Sequence, residues 1–192
     1  HFTSGVSFEF EDPYQFIPTL SSEDLYLFNQ GNHHRIYEKL GAHAIEHEGV
    51  KGYSFAVWAP NAKRVSVVGD FNQWDGRIHP MRLLENSGVW ELFIPKLTAG
   101  QKYKFEVYDT NHQIQLKADP YANCGEFDYN HASILTESLD TFNWQDHFWL
   151  EQRQQQNCKT IPLAIYEMHL DSWKHDENDQ PLTYRTLAPI LV

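Results

Sequence analysis

Large apolar residues recur at every second position in three stretches of this chain: Tyr53, Phe55 and Val57, then Trp90, Leu92 and Ile94, then Tyr103, Phe105 and Val107. A period of two sends successive side chains to opposite faces of an extended backbone, so each stretch reads as a half-buried strand. Turn signals fall between them, at Ala59-Pro-Asn61, Asp75-Gly76, Asn86-Ser-Gly88, Ala99-Gly100 and Asp109-Thr-Asn111. Their spacing of about ten residues is the rhythm of an antiparallel sandwich, and seven or so short strands in roughly 100 residues suffice for two sheets. Ile114 with Leu116, and later Ser133 to Thr136, supply the last strands; Asp119-Pro-Tyr121 makes a bend, because proline cannot donate to a ladder. The expected fold is mainly β, an immunoglobulin-like antiparallel β-sandwich flanked by a short N-terminal helical segment and an incomplete βα unit.

Four regions are expected: 1–40, 41–139 with the sandwich, 140–160 as a helical linker, and 161–192. In the first, Ser21 with Asp24 three residues on caps a short helix, Ser22 to Gln30, that Gly31 can end. In the linker, Trp144, Phe148 and Trp149 recur at near-helical spacing and point to packing on a neighbour. The run from Ile161 to Leu170 is apolar enough for a strand buried on both faces, as in parallel sheets. A single βα unit leaves that strand uncovered, so it is expected to be disordered or paired with another copy if nothing else accompanies it. Thr183 can cap a final helix carrying Leu187, Ile190 and Leu191 on one face, with Pro189 kinking or ending it. With His1 at the start and a helix cut short at the end, the chain reads as a piece of something longer.

Composition narrows the partners. A formal charge of −11 with no run among the 15 Lys and Arg residues argues against nucleic acid. No apolar stretch approaches the roughly 20 residues of a membrane-crossing helix. Two cysteines, Cys124 and Cys158, are too few for a disulfide framework and fit reduced thiols in a cytoplasm. His33-His34 and the pair His43 and His47 show neither a third ligand nor a His-Glu-x-x-His order, so no metal is expected, and no cofactor motif is present. Trp58 and Trp90, inside alternating patterns, read as packing rings rather than as binding surfaces. Trp74 is different. Val65 to Val68 form an apolar run ending at Gly69, and Asp75-Gly76 supplies the positive φ angles of a tight turn, placing Trp74 at the tip of a β-hairpin. A ring there either folds back as a lid on the sheet edge or holds a ligand.

Asp12-Pro-Tyr-Gln-Phe, Asp24-Leu-Tyr-Leu-Phe, Gly31-Asn-His-His-Arg-Ile-Tyr-Glu-Lys-Leu-Gly-Ala-His43, Phe55-Ala-Val-Trp-Ala-Pro-Asn-Ala, Gly69-Asp-Phe-Asn-Gln-Trp-Asp-Gly-Arg and Ile165-Tyr-Glu-Met-His-Leu resemble the bacterial 1,4-α-glucan branching enzymes over nearly the whole chain. The resemblance implies a carbohydrate-binding module of family 48 for the sandwich, the tail of a preceding module before it, and the first strand and helix of a glycoside hydrolase family 13 barrel in 161–192. It implies a parent that cuts α-1,4 glucan and rejoins it through α-1,6 bonds in glycogen biosynthesis, a retaining exchange needing two carboxyl groups. Those groups lie on later barrel strands, so no catalytic residue is expected here and the fragment alone is expected to be inactive. Asp171, Asp176 and Glu177 read as a solvated loop, and Asp171 stands where the family usually has glycine.

In related modules a tryptophan at this tip, a lysine in the Tyr-Lys-Phe strand and a second aromatic before Asp-Pro line a sugar groove. The first two match as Trp74 and Lys104, while Leu116 takes the third place and offers less flat surface. A sugar ring can bury its C–H face on an indole while amide or ammonium groups bond its hydroxyls, so Asn72 beside Trp74 completes the expected glucan-binding set. The expected partners are α-glucan, as glycogen or maltooligosaccharide, and the parent's own catalytic barrel. Two other readings stay open: a module that only packs on the barrel, with Trp74 packed, and the equivalent module of a debranching or trehalose-forming relative.

Overall fold

The computed structural model describes residues 11–127, 130–137, 143–156, 160–162 and 164–191, so Cys158 lies outside the described residues. The chain divides into two compact units, residues 1–142 and 143–192. The first is mainly β, with two antiparallel sheets. One has the order β1 (Gly41–His47), β2 (Val50–Trp58), β5 (Val89–Pro95), β4 (Arg82–Leu84). The other has β3 (Ala62–Gly69), β6 (Lys102–Asp109) and β7 (Ile114–Lys117), with β8 (Ser133–Ile134) on the start of β6. The alternating positions meet between the sheets: Tyr53, Phe55, Val57, Trp90, Leu92 and Ile94 from one, Val65, Val67, Tyr103 and Phe105 from the other.

The two central strands of the first sheet, β2 and β5, are not half-buried, as alternation alone implies, but buried on both faces over most of their length. Ser54, Ala56, Glu91 and Phe93, the outward residues of β2 and β5, are shielded as completely as the inward ones. The cover is residues 11–40. Helix α1 (Ser22–Asn29) starts with the Ser21/Asp24 capping box and gives way to Gly31 at φ +71°. Its Leu25 joins Leu20, Leu40, Ala56, Leu84 and Val89 in a second apolar cluster, and Phe16 meets Phe93 edge to face at 4.8 Å. Glu91, fully buried, accepts hydrogen bonds from the Thr19 N–H (3.2 Å) and hydroxyl (3.0 Å) and from Arg82 Nε (2.8 Å). A buried carboxylate is tolerable only when so surrounded, which ties the N-terminal layer to the sheet by necessity.

Trp90 is buried as expected, its indole N–H donating to the Ala59 carbonyl at 3.0 Å. Trp58 is not: it ends β2 on the outward face and stays 54% exposed, touched at one edge by Phe28 of α1. The expected hairpin is also absent, because β3 pairs with β6 and not with the strand that follows it. After a loop from Asp70 to Ile78 the chain returns beside β3 through two bonds, Val67 N–H to the His79 carbonyl and Met81 N–H to the Val65 carbonyl. It then crosses to the other sheet as β4.

The second unit holds α2 (His147–Gln155), α3 (Leu170–Trp173) and α4 (Tyr184–Leu191). Trp144, Phe148 and Trp149 are exposed rather than packed. The described residues between Ile161 and Leu170 form no strand, and Ile165 and Tyr166 are exposed. A strand needs ladder partners for its N–H and C=O groups, and no strand stands beside this run among the described residues. Helix α4 does form after Thr183, with Leu187 buried, Ile190 and Leu191 exposed and Pro189 inside it. Among the described residues no helix is long and apolar enough to cross a membrane.

Candidate functional site

The loop after β3 is shaped by one side chain. Gly69 ends the strand where an added Cβ would strike the Lys102 carbonyl and lie 2.7 Å from the Phe71 ring. A single 3₁₀ turn, Asp70–Asn72, follows. The Asn72 amide then closes the loop on itself: Oδ1 accepts the Gly69 N–H at 2.8 Å, and Nδ2 donates to the Val67 carbonyl at 2.8 Å and to His79 Nδ1 at 2.9 Å. Asn72 is buried with all of these groups engaged, so it builds the loop and does not reach a ligand, contrary to its expected part in bonding a sugar rim.

The closed turn holds Gln73 at φ +56° and Trp74 at φ +61°. Two consecutive left-handed residues without glycine cost on the order of 1 kcal/mol each, a strain that persists only where neighbours over-determine the backbone. Here Trp74 N–H donates to the Gly69 carbonyl at 3.0 Å and Asp75 N–H to the Asn72 carbonyl at 3.1 Å. Asp75-Gly76 is therefore not the positive-φ dipeptide; Gly76 lies against the Glu106 carboxylate, which an added Cβ would push aside. Beside it the half-buried Asp75 accepts hydrogen bonds from Arg77, which hold its carboxyl down at about 2.

Held this way, the indole stands 37% exposed over the outer face of the second sheet. Tyr103 and Phe105 point into the core, so Lys102, Lys104 and Glu106 point out. Leu116 of β7 pairs with Glu106 and is a diagonal neighbour of Lys104. Trp74, Lys104 and Leu116, the three positions that the resemblance put in one groove, line one hollow of about 380 Å³. Asp70, Lys102, Glu126, Asn130 and Ala132 complete the lining. Asp70 accepts the Lys102 N–H at 2.9 Å, Lys102 Nζ pairs with Glu126, and Lys104 Nζ donates to the Asn130 carbonyl.

Of the residues not anticipated, Lys102 was within reach, since it shares the outward period with Lys104. Glu126, Asn130 and Ala132 arrive on the segment between β7 and β8 and have no local signal in the sequence. An indole plane, an aliphatic side chain and a rim of ammonium and carboxylate groups suit a ligand with one C–H face and hydroxyls around its edge. Among the described residues no group of His, Cys, Asp and Glu could hold a metal ion. His43 and His47 lie on β1, bonded to the Leu40 and Ile17 carbonyls, and His33 bonds Asp24.

Residues 39–122 match the family model described as carbohydrate-binding module 48, isoamylase N-terminal domain. The chain is 53% identical over 189 residues to the 1,4-alpha-glucan branching enzyme GlgB of Rubrobacter xylanophilus, covering 98% of this chain and 26% of that protein. It is 51% identical over 190 residues to the protein of the same name from Methylococcus capsulatus, with 98% and 26% covered. Among solved structures, ligand-free PulA from Klebsiella pneumoniae aligns at 22% identity and a TM-score of 0.42 over 51% of this chain and 10% of that one. The chain thus spans about a quarter of the length of the curated relatives it matches.

Proposed function

We propose that the sandwich, whose residues 39–122 match the carbohydrate-binding module 48 model, holds α-glucan, glycogen or maltooligosaccharide, in the hollow between Trp74, Lys104 and Leu116. The observation that carries this is the indole itself, kept partly exposed on a strained loop closed by the Asn72 amide, beside a lysine and an aliphatic side chain. A ring meant for packing has no need of such a support. The glucose ring lies its C–H face on Trp74 with Leu116 at its side, and Lys104 and the carboxylates of Asp70 and Glu126 meet its hydroxyls.

In this reading the module, residues 41–139, serves a longer branching enzyme of the cytoplasm, whose barrel begins within 161–192. It orients that barrel and keeps the glucan near it, while the carboxyl groups that transfer α-1,4 segments to α-1,6 positions lie in the rest of the relatives' length. With an aliphatic residue in place of a second ring, the contact is weak, in the micromolar to millimolar range on the scale of about 1.4 kcal/mol per tenfold.

Electrophoresis of the chain in gels with and without glycogen tests it. Trp74→Ala removes the platform and is expected to abolish most of the retardation, a loss of about 1 to 3 kcal/mol if it resembles other aromatic hot spots. Unchanged retardation would place the glucan contact elsewhere, or nowhere on this module.

A further inference from the structure

We infer that His79 is a positioning residue for Trp74, acting through Asn72, and that it does so only while its imidazole is neutral. Its consequence for glucan rests on the reading of the hollow given above; the positioning itself does not.

The orientation of the Asn72 amide is fixed by two backbone groups. The Gly69 N–H can only donate, so it faces Oδ1, and the Val67 carbonyl can only accept, so it faces Nδ2. The second Nδ2 hydrogen then points at His79 Nδ1, 2.9 Å away, which must carry a lone pair, and the ring proton sits on Nε2. Asn72 cannot turn over without losing both backbone bonds. His79 cannot drift easily either, since its carbonyl accepts the Val67 N–H at 3.0 Å and its ring lies 5.7 Å from that of Phe71.

A proton added at Nδ1 sets an N–H against an N–H₂ and leaves one of them without a partner. The structure must then release Asn72 or His79. Asn72 is the residue that closes the turn, and the two bonds bracketing Trp74, to the Gly69 and Asn72 carbonyls, exist only in the closed turn. The left-handed backbone at Gln73 and Trp74 loses its support at the same step.

The charges on the surrounding elements are engaged elsewhere: Arg64 of β3 with Glu106 of β6, Arg77 with Asp75 in the same loop, and Asp70 with the Lys102 N–H. Burial lowers the His79 pKa, in the direction that the neutral requirement demands. The change therefore belongs below the ordinary imidazole value of 6.5.

The test uses the whole 192-residue chain. In ¹⁵N spectra recorded without sugar from pH 7.5 to 5.0, the Asn72 side-chain amide and the Trp74 indole N–H are expected to shift along the titration curve of His79. The core Tyr103 amide stays in place. Maltoheptaose titrations at the two ends of that range are expected to show about fivefold weaker binding in acid, the loss of roughly one hydrogen bond. His79→Asn, whose Oδ1 stands at the place of Nδ1 and still accepts from Asn72 but does not titrate, keeps the neutral-pH affinity and removes the acid loss. Asn72 and Trp74 resonances that ignore the His79 titration would overturn the inference whatever the sugar does. Resonances that follow it in a protein that binds no maltoheptaose would uphold the positioning and refute the function proposed for the hollow.

Discussion

Trp74, Asn72 and Leu116 show how differently three side chains in one neighbourhood work. Trp74 supplies a surface, Asn72 supplies the loop that presents it, and Leu116 flanks it with less flat area than an aromatic would give. Leu116 sits exposed on the edge strand β7, where a larger ring meets no packed wall. Leu116→Trp is therefore expected to tighten maltoheptaose binding about five- to tenfold, the gain of roughly 1 kcal/mol from a second stacking ring; calorimetric titration reads it, and an unchanged affinity would mean that sugar does not reach β7. Trp74 stood out because it follows a glycine-ended strand, whereas Lys104 and Leu116 came only from the resemblance to related modules. Asn72 was misread for a physical reason: residue type tells that an amide can bond a ligand, but not that Gly69, Val67 and His79 would take all its groups first.

The elements tell a similar story about what local pattern can carry. Alternation located the main strands and their core faces, since inward residues of β2, β5 and β6 are the ones a period of two selects. It could not reveal that the opposite face of the first sheet is covered too, because the cover is a helix and loops some thirty residues upstream whose docking leaves no periodic trace in β2 or β5. The capping box of α1 was legible, and its energetics are testable. Burial pushes the Asp24 carboxyl up, but hydrogen bonds from His33 and from Ser21, and the charge of Lys39, outweigh it and hold the group well below the usual carboxylate range. A depressed carboxyl contributes stability that is present above its unfolded value, ordinarily 3.8, and is lost as pH falls through the folded one. Ser21→Ala is expected to cost about 1 kcal/mol in urea unfolding, and its effect should shrink in strong acid as Asp24 takes up a proton. An equal loss at pH 7 and at pH 2 would show that the reciprocal cap contributes nothing through its charge. The described residues between Ile161 and Leu170 form no strand for the complementary reason: apolar composition can specify a buried strand only where neighbours complete its ladder.

At the scale of the whole molecule, two sheets, an N-terminal layer and a loop under strain converge on one outward-facing indole. The core of the first unit continues from the inter-sheet cluster through the first sheet to the layer of residues 11–40, so the platform is built on a body buried in depth rather than on a thin sandwich. What such a body can offer a glucan is a fixed plane, and the most direct measurement is a maltoheptaose titration of the chain followed by two-dimensional NMR. The Trp74 indole N–H, the Leu116 methyls and the Lys104 amide are expected to shift together, in fast exchange, with one saturating curve, while Trp58, Trp90 and the three rings of the second unit around α2 stay unmoved. Shifts confined to those other rings, or no shifts at millimolar sugar, would contradict the account.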